Sequence, residues 1–210
     1  MIKIYKNFFD SDCLEYIEEQ IERSKRTSNL RTSYPTINWG PRIIQESAPV
    51  MIYDMVDPDI LQKRLKEVYP TEEDIHFMIY YWPVGSYVAW HPDHHVEMTA
   101  TVYMNKYWNR DWGGLFLYEE GDKILAEIPE WNKLVINAPP VPHASTQVTK
   151  SYFGSPGVDG GWAYHNGVPI IRTTIQIFEA TEEYKRNAIE GATTHTAGAG
   201  WVKGESFAST

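Results

Sequence analysis

The segment from residue 75 to residue 105 reads IHFMIYYWPVGSYVAWHPDHHVEMTATVYMN, and it decides the fold class. Its two ends, residues 75–82 and 98–105, are rich in β-branched and aromatic residues, which is typical of strands. Gly85 marks a turn between them, and the intervening residues carry no helical periodicity. The segment therefore predicts successive strands without a helical crossover, as in an all-β sandwich or barrel.

The rest of the chain extends this pattern on both sides. Further strands are predicted at residues 2–9, 115–118, 123–128, 134–137 and 170–178. Two amphipathic helices precede the main β region. The first helix is capped within residues 10–12, where Asp12 and Glu15 have capping-box spacing, and it ends near residue 26. The second helix opens at Asp57-Pro58, with proline at its first helical position. We expect a mainly β fold with flanking α-helices packed on its outside.

Less regular segments complete the organisation. Residues 29–49 are polar and turn-rich and are predicted to be a long loop with one short strand, and residues 151–169 form a glycine-rich loop or hairpin. A short helix is predicted at residues 182–190, before a tail without a core pattern. We expect one domain over residues 1–210, with helical support in 1–70, the β core in 75–180, and a C-terminal helix and tail in 181–210.

Composition excludes several classes of function. The net charge of −9 argues against a nucleic-acid partner, because phosphates attract clustered Lys and Arg. Cys13 is the only cysteine, so no intramolecular disulfide is possible. No apolar run is long enough for a membrane span, and the start of the chain lacks the pattern of a signal peptide. The chain is therefore expected to be cytoplasmic, without a membrane or nucleic-acid partner.

A candidate metal site begins at His91-Pro92-Asp93. In a strand these two side chains project from one face, and a distant histidine, for which His143 is the candidate, would complete a facial triad of two histidines and a carboxylate for Fe(II). Such a triad leaves positions open for a bidentate co-substrate and O2. Zinc also suits these ligands, and a lone His-x-Asp is more often an ordinary surface loop.

The surrounding motifs resemble the iron(II)- and 2-oxoglutarate-dependent dioxygenases of the prolyl 4-hydroxylase type. The resemblance covers residues 80–178, about half of the chain, and depends on the order and spacing of its segments. In chain order these are Tyr81…Gly85…His91-Pro92-Asp93, residues 99–105 (TATVYMN), residues 112–118 (WGGLFLY), residues 134–137 (LVIN) with His143, and residues 172–178 (RTTIQIF).

The resemblance implies a double-stranded β-helix, or jelly-roll, core with defined roles for individual residues. His91, Asp93 and His143 would hold Fe(II), and 2-oxoglutarate and O2 would be the co-substrates. The far carboxylate of 2-oxoglutarate would bind Arg172 and Tyr103, with Tyr81 nearby, because an arginine fork binds two oxygens at once. Arg172 follows His143 by 29 residues (172 minus 143), a longer interval than in the family. Lys150 is therefore the competing anchor, and residues 151–169 would be an insertion.

The implied reaction is hydroxylation of an unactivated C–H bond, with release of succinate and CO2. Asp93 favours hydroxylation, because related halogenases have a small residue in its place. Phe178 stands where related nucleic-acid demethylases have a second arginine. The expected substrate is a prolyl residue in a peptide or protein, or a free amino acid. Trp90, Trp108, Trp112 and Trp162 could form an aromatic wall for a proline ring.

Two alternatives belong to other classes of protein. One is a β-sandwich binding protein with a structural metal, which would not bind 2-oxoglutarate. The other is a cupin-like metal-dependent isomerase or hydrolase, which would act without O2 and would not need Arg172.

Overall fold

The computed structural model describes residues 1–27, 30–33, 36–39, 42–73, 75–93, 96–149, 164–165, 168–169 and 171–180. The strands are β1 Ile2–Tyr5, β2 Arg31–Ser33, β3 Thr36–Trp39, β4 Arg42–Glu46, β5 Val50–Asp54, β6 His76–Trp82, β7 Val88–His91, β8 Val96–Tyr103, β9 Phe116–Glu120, β10 Lys123–Glu127, β11 Lys133–Asn137, β12 His143–Ser145, β13 Tyr164–His165, β14 Val168–Pro169 and β15 Arg172–Ala180. The α-helices are α1 Ser11–Ser24 and α2 Asp59–Lys66, and Arg110–Trp112 forms a 3-10 helix.

Two antiparallel sheets form the body of the fold. The larger sheet has seven strands in the order β1-β11-β8-β15-β6-β5-β2, and the smaller has four in the order β10-β9-β12-β7. Two short hairpins, β3-β4 and β13-β14, stand apart from them. The predicted mainly β fold with flanking helices and a jelly-roll core is confirmed.

Strand β15 lies at the centre of the larger sheet, between β8 and β6, and its side chains alternate between two environments. Ile175 and Ile177 are fully buried in a core shared with residues of α1 and α2. Arg172, Gln176 and Phe178 line a cavity on the opposite face, between the two sheets. The larger sheet therefore has an apolar face toward the helices and a partly polar face toward the cavity.

Helix α1 is capped at an earlier residue than the capping-box spacing of Asp12 and Glu15 indicates. The N-cap is Asp10, whose carboxylate accepts a hydrogen bond from the Cys13 N–H at 3.0 Å. The helix buries Cys13 and Ile17 against the core and ends at Ser24. Among the described residues, no helix is long and apolar enough to span a membrane.

The region before residue 75 contains more strands than the sequence indicates. Residues 29–49 are predicted to form a loop with one strand, but they contain β2, β3 and β4. Strands β1, β2 and β5 join the larger sheet, so the predicted support region also contributes to it. Strands of three to five residues separated by Tyr-Pro and Gly-Pro pairs are too short for a clear alternating pattern. The predicted helix at residues 182–190 lies outside the described residues.

Candidate active site

The three predicted metal ligands meet at one end of the smaller sheet. His91 is the last residue of β7 and pairs in register with His143, the first residue of β12. Their ring centroids are 4.3 Å apart. Asp93 lies two residues beyond the end of β7, and each of its oxygens is 3.4 Å from an Nε2 atom, Oδ1 from that of His91 and Oδ2 from that of His143. One ligand atom from each residue lies within 4.8 Å of the others, so a single ion can contact all three.

Backbone carbonyls orient both histidine rings. His91 Nδ1 lies 2.7 Å from the carbonyl oxygen of Ala89, and His143 Nδ1 lies 2.9 Å from that of Val141. A carbonyl oxygen can only accept a hydrogen bond, so Nδ1 is the protonated nitrogen in each neutral ring. The Nε2 lone pairs are then directed toward Asp93, which is the arrangement that metal-binding histidines adopt.

The two histidines differ in their electrostatic surroundings. Burial disfavours the charged form of His91, but the hydrogen bond and the charge of Asp93 outweigh it and raise the pKa. Burial, followed by the charge of His91, lowers the pKa of His143. Asp93 and His143 are buried, with exposed fractions of 6% and 8%. A neutral imidazole beside a buried carboxylate is a suitable ligand set for a divalent cation.

Arg172, the first residue of β15, enters the same cavity from the larger sheet. Its Nη1 donates to the carbonyl oxygen of Gly114 at 2.6 Å and to Ser145 Oγ at 2.5 Å. Its guanidinium lies over the Trp82 ring, 4.5 Å from the ring centroid. The side chain is 3% exposed, and burial lowers its pKa to about 10, so it remains charged at neutral pH.

The charge of Arg172 has no protein counter-ion in the part of the chain that the structure describes. No described carboxylate lies within salt-bridge distance of it, and its buried Nε has no hydrogen-bond partner among the described residues. A buried, unneutralised guanidinium is costly unless an anion binds to it. The arrangement therefore fits an anionic ligand beside Arg172.

Tyr103 lies beside Arg172. It is 1% exposed, and burial raises the pKa of its phenol, an effect that the charge of Arg172 partly opposes. The phenol is therefore neutral and able to donate a hydrogen bond. The cavity contains both this cation and the metal-ligating groups. Its lining residues are Val50, Tyr80, Trp82, Val88, His91, Asp93, Thr99, Ala100, Thr101, Tyr103, Phe116, Val135, Asn137, His143, Ala144, Ser145, Arg172, Gln176 and Phe178.

Not every predicted site residue lies in the cavity. Tyr81 faces the helices, where its hydroxyl is hydrogen-bonded to Ser24 Oγ, and its neighbours Tyr80 and Trp82 line the cavity instead. Lys150 lies outside the described residues, so only Arg172 of the two proposed anchors is seen in the cavity.

The tryptophan wall predicted for a proline ring stays a prediction, and its three described members lie outside this cavity. Trp90, Trp108 and Trp112 do not line the cavity, and Trp90 is 39% exposed. Trp162 lies outside the described residues. The aromatic lining consists instead of Tyr80, Trp82, Tyr103, Phe116 and Phe178.

Sequence reasoning missed two neighbours of Arg172. Ser145 lies two residues after His143 on β12, and the alternation of a strand could have placed it on the same face. Trp82 pairs in register with Arg172, which depends on a long-range strand pairing that no local pattern indicates.

The fold is similar to that of several solved oxygenases. A prolyl hydroxylase from Trichoplax adhaerens, solved with a hypoxia inducible factor oxygen degradation domain peptide fragment, gives a TM-score of 0.60 at 15% identity over 88% of this chain and 86% of that one. A prolyl-4-hydroxylase from Pseudomonas putida gives 0.58 at 14% identity over 86% and 92% of the two chains.

A third solved structure is an oxidoreductase of the 2OG-Fe(II) oxygenase family from Burkholderia pseudomallei, with a TM-score of 0.54 at 11% identity over 85% of this chain and 84% of that one. No protein-family model and no curated protein matches the chain. At these low identities the likeness shows a shared fold, and activity has to be argued from the site itself.

Proposed function

We propose that this protein is an iron(II)- and 2-oxoglutarate-dependent oxygenase that hydroxylates a C–H bond. One observation carries the proposal: a cluster of two histidines and a carboxylate shares a cavity with a buried arginine that lacks a counter-ion among the described residues. A bound metal alone would explain the two histidines and the carboxylate, and a bound anion alone would explain the buried arginine. A co-substrate that chelates the metal at one end and carries a carboxylate at the other explains both.

The donor set fits Fe(II). His91 and His143 would each supply Nε2, and Asp93 would supply a carboxylate oxygen, which leaves further positions on the ion for other ligands. The carbonyl oxygens of Ala89 and Val141 favour the tautomer that carries its proton on Nδ1, so Nε2 is the ligand atom of each neutral ring. When bound, Fe(II) supplies the activation of O2, with conversion of 2-oxoglutarate to succinate and CO2.

The charge of Arg172 fits the distal carboxylate of 2-oxoglutarate. Arg172 is held by Gly114, Ser145 and the Trp82 ring, and its Nε makes no hydrogen bond to a described residue. Tyr103 can add a hydroxyl donor beside Arg172. Charge-assisted hydrogen bonds of this kind are about twice as strong as neutral ones, and burial away from water strengthens them further.

For the substrate we propose a prolyl residue in a peptide or protein, or a free amino acid. The Trichoplax adhaerens structure with a similar fold was solved with a peptide fragment, which supports a peptidyl substrate. The carboxylate of Asp93 in the metal cluster supports hydroxylation. Fold similarity does not select among these substrates, so they require a direct assay.

The first test is an anaerobic titration of purified protein with Fe(II) and 2-oxoglutarate, following the weak visible charge-transfer band of the chelate. We expect a band in the wild type, no band in His143→Ala, and a much higher 2-oxoglutarate requirement in Arg172→Ala. Normal binding by Arg172→Ala would transfer the anchor role to Lys150. A wild type that binds metal but never shows the band would support a β-sandwich with a structural metal instead.

The second test concerns the reaction. The Fe(II)-loaded protein is incubated with O2, 2-oxoglutarate and either prolyl peptides or free amino acids, and succinate and the mass of each candidate substrate are measured. We expect succinate to form together with a product heavier by one oxygen atom. Turnover of a substrate without O2 or 2-oxoglutarate would favour the cupin-like isomerase or hydrolase.

A further inference from the structure

Three asparagines make the same kind of contact in this fold. Asn105, Asn132 and Asn137 each use both the Oδ1 and the Nδ2 atom of the side-chain amide to bind backbone groups, in Asn105 and Asn132 those of a distant segment and in Asn137 those of Val141, four residues on. We call this arrangement an asparagine clamp. Two of the clamps hold backbone next to a proposed ligand-binding side chain, and the third does not.

The Asn105 clamp encloses Arg172. Its Nδ2 donates to the carbonyl oxygen of Ile171 at 2.7 Å, and its Oδ1 accepts from the N–H of Thr173 at 2.8 Å. These are the residues immediately before and after Arg172. Strand β8 ends at Tyr103, so the Asn105 side chain continues the pairing with β15 beyond the end of the strand. The backbone from which the guanidinium enters the cavity is therefore held on both sides.

The Asn137 clamp acts on His143 through Val141, and Asn137 Nδ2 also lies 3.3 Å from His143 Nδ1 itself. Asn137 Oδ1 accepts from the Val141 N–H at 2.8 Å, and its Nδ2 donates to the Val141 carbonyl oxygen at 3.1 Å. The same carbonyl oxygen accepts the hydrogen bond from His143 Nδ1 at 2.9 Å. Asn137 therefore fixes the carbonyl group that sets the tautomer and orientation of the His143 ring. Asn137 is 1% exposed and lies at the end of β11.

The Asn132 clamp provides a comparison within the same molecule. Its Oδ1 accepts from the Phe9 N–H at 2.9 Å, and its Nδ2 donates to the Phe9 carbonyl oxygen at 2.8 Å. Phe9 belongs to the core on the helix side of the larger sheet, and neither Phe9 nor Asn132 lines the cavity. Loss of this clamp should affect stability without affecting a ligand.

We propose that Asn105 and Asn137 are positioning residues with separate tasks, Asn105 for the anion-binding Arg172 and Asn137 for the metal-binding His143. The inference rests on the proposed function, since it assigns each clamp to one of its two ligands. A ligand binds more weakly if the arginine side chain or the histidine ring must first become ordered when the ligand arrives. The clamps hold the backbone beside Arg172 and the tautomer of His143 before the ligand binds, which removes part of that cost.

The test compares Asn105→Ala, Asn137→Ala and Asn132→Ala with the wild type in three measurements. These are the melting temperature of the metal-free protein, the affinity for Co(II) followed by its visible absorption, and the affinity of the Co(II)-loaded protein for 2-oxoglutarate. We expect Asn137→Ala to weaken Co(II) binding about 10- to 100-fold, as for other residues that orient metal ligands. We expect Asn105→Ala to weaken 2-oxoglutarate binding about tenfold, with Co(II) binding unchanged.

Asn132→Ala should lower the melting temperature while both affinities remain those of the wild type. If an alanine variant does not fold, the corresponding serine variant, which keeps one hydroxyl on Cβ, is measured instead. Equal affinities in all four proteins, or equal losses in all three variants, would overturn the proposal while leaving the proposed function intact. A wild type that binds neither Co(II) nor 2-oxoglutarate would overturn both.

Discussion

At the scale of single residues, the place of Arg172 depends on a missing methyl group. Gly114 has a positive φ of 66°, and a Cβ atom there would lie 2.9 Å from Arg172 Cδ and 3.2 Å from Nη1. The carbonyl oxygen of Gly114 also accepts a hydrogen bond from Nη1. Glycine therefore permits both the positive φ and the close approach of the guanidinium at this position.

Gly114→Ala should weaken 2-oxoglutarate binding, because the added methyl group displaces Arg172. It should also lower the free energy of unfolding by about 1–2 kcal/mol through the left-handed backbone. Gly121→Ala is the matched control, since Gly121 has a φ of 64° and a Cβ atom there would meet no described atom within 4 Å. Titration calorimetry and thermal melts separate the two effects. Equal 2-oxoglutarate affinities in both variants would argue against a steric role for Gly114.

The residue scale also shows what local patterns can predict. The two-residue spacing of His91 and Asp93 predicts that they lie close together, although Asp93 lies beyond the end of β7 and not within the strand. The position of His143 follows from the order of the surrounding motifs. The strand context predicts Arg172, although 29 residues separate it from His143. Gly114 cannot be connected with Arg172 in this way, because their contact arises only when β15 is packed against the smaller sheet.

At the scale of elements, strand β6 illustrates a limit of sequence patterns. A strand with one wet face alternates apolar and polar residues, but β6 is buried on both faces and reads as a continuous apolar and aromatic run. Nothing in that run indicates whether Tyr80 or Tyr81 faces the cavity. The pairing with β15 decides it, because Trp82 lies opposite Arg172 and Tyr81 opposite Thr173. Tyr81 consequently contacts α1 through Ser24.

This orientation predicts opposite effects for two similar substitutions. Tyr81→Phe should lower the free energy of unfolding by about 1 kcal/mol, the usual net value of one hydrogen bond, and leave 2-oxoglutarate binding unchanged. Tyr103→Phe should weaken 2-oxoglutarate binding about tenfold, because a hydroxyl donor to a carboxylate is lost. Chemical denaturation and 2-oxoglutarate titration of both variants provide the measurement. A loss of binding in Tyr81→Phe would contradict the observed register of β6.

At the scale of the whole molecule, the candidate site is divided between the two sheets. His91 and His143 belong to the smaller sheet, and Asp93 follows one of its strands, whereas Arg172 and Tyr103 belong to the larger sheet. Among the described residues, the hydrogen bond from Arg172 to Ser145 joins the two sheets within the site. Asn137 of β11 also lies 3.3 Å from His143 of β12, and a ligand that contacts both Arg172 and the metal-ligating groups would add a further connection.

This division has a consequence for backbone amide hydrogen exchange. A metal ion alone contacts groups of the smaller sheet, so we expect it to slow exchange in β7 and β12 and to leave β8 and β15 nearly unchanged. Metal together with 2-oxoglutarate should slow exchange on both sides, including the first residues of β15. Succinate, which has two carboxylates but no keto group, should protect β15 less. Mass-spectrometric exchange measurements would therefore reveal a ligand that joins the sheets before any substrate is known.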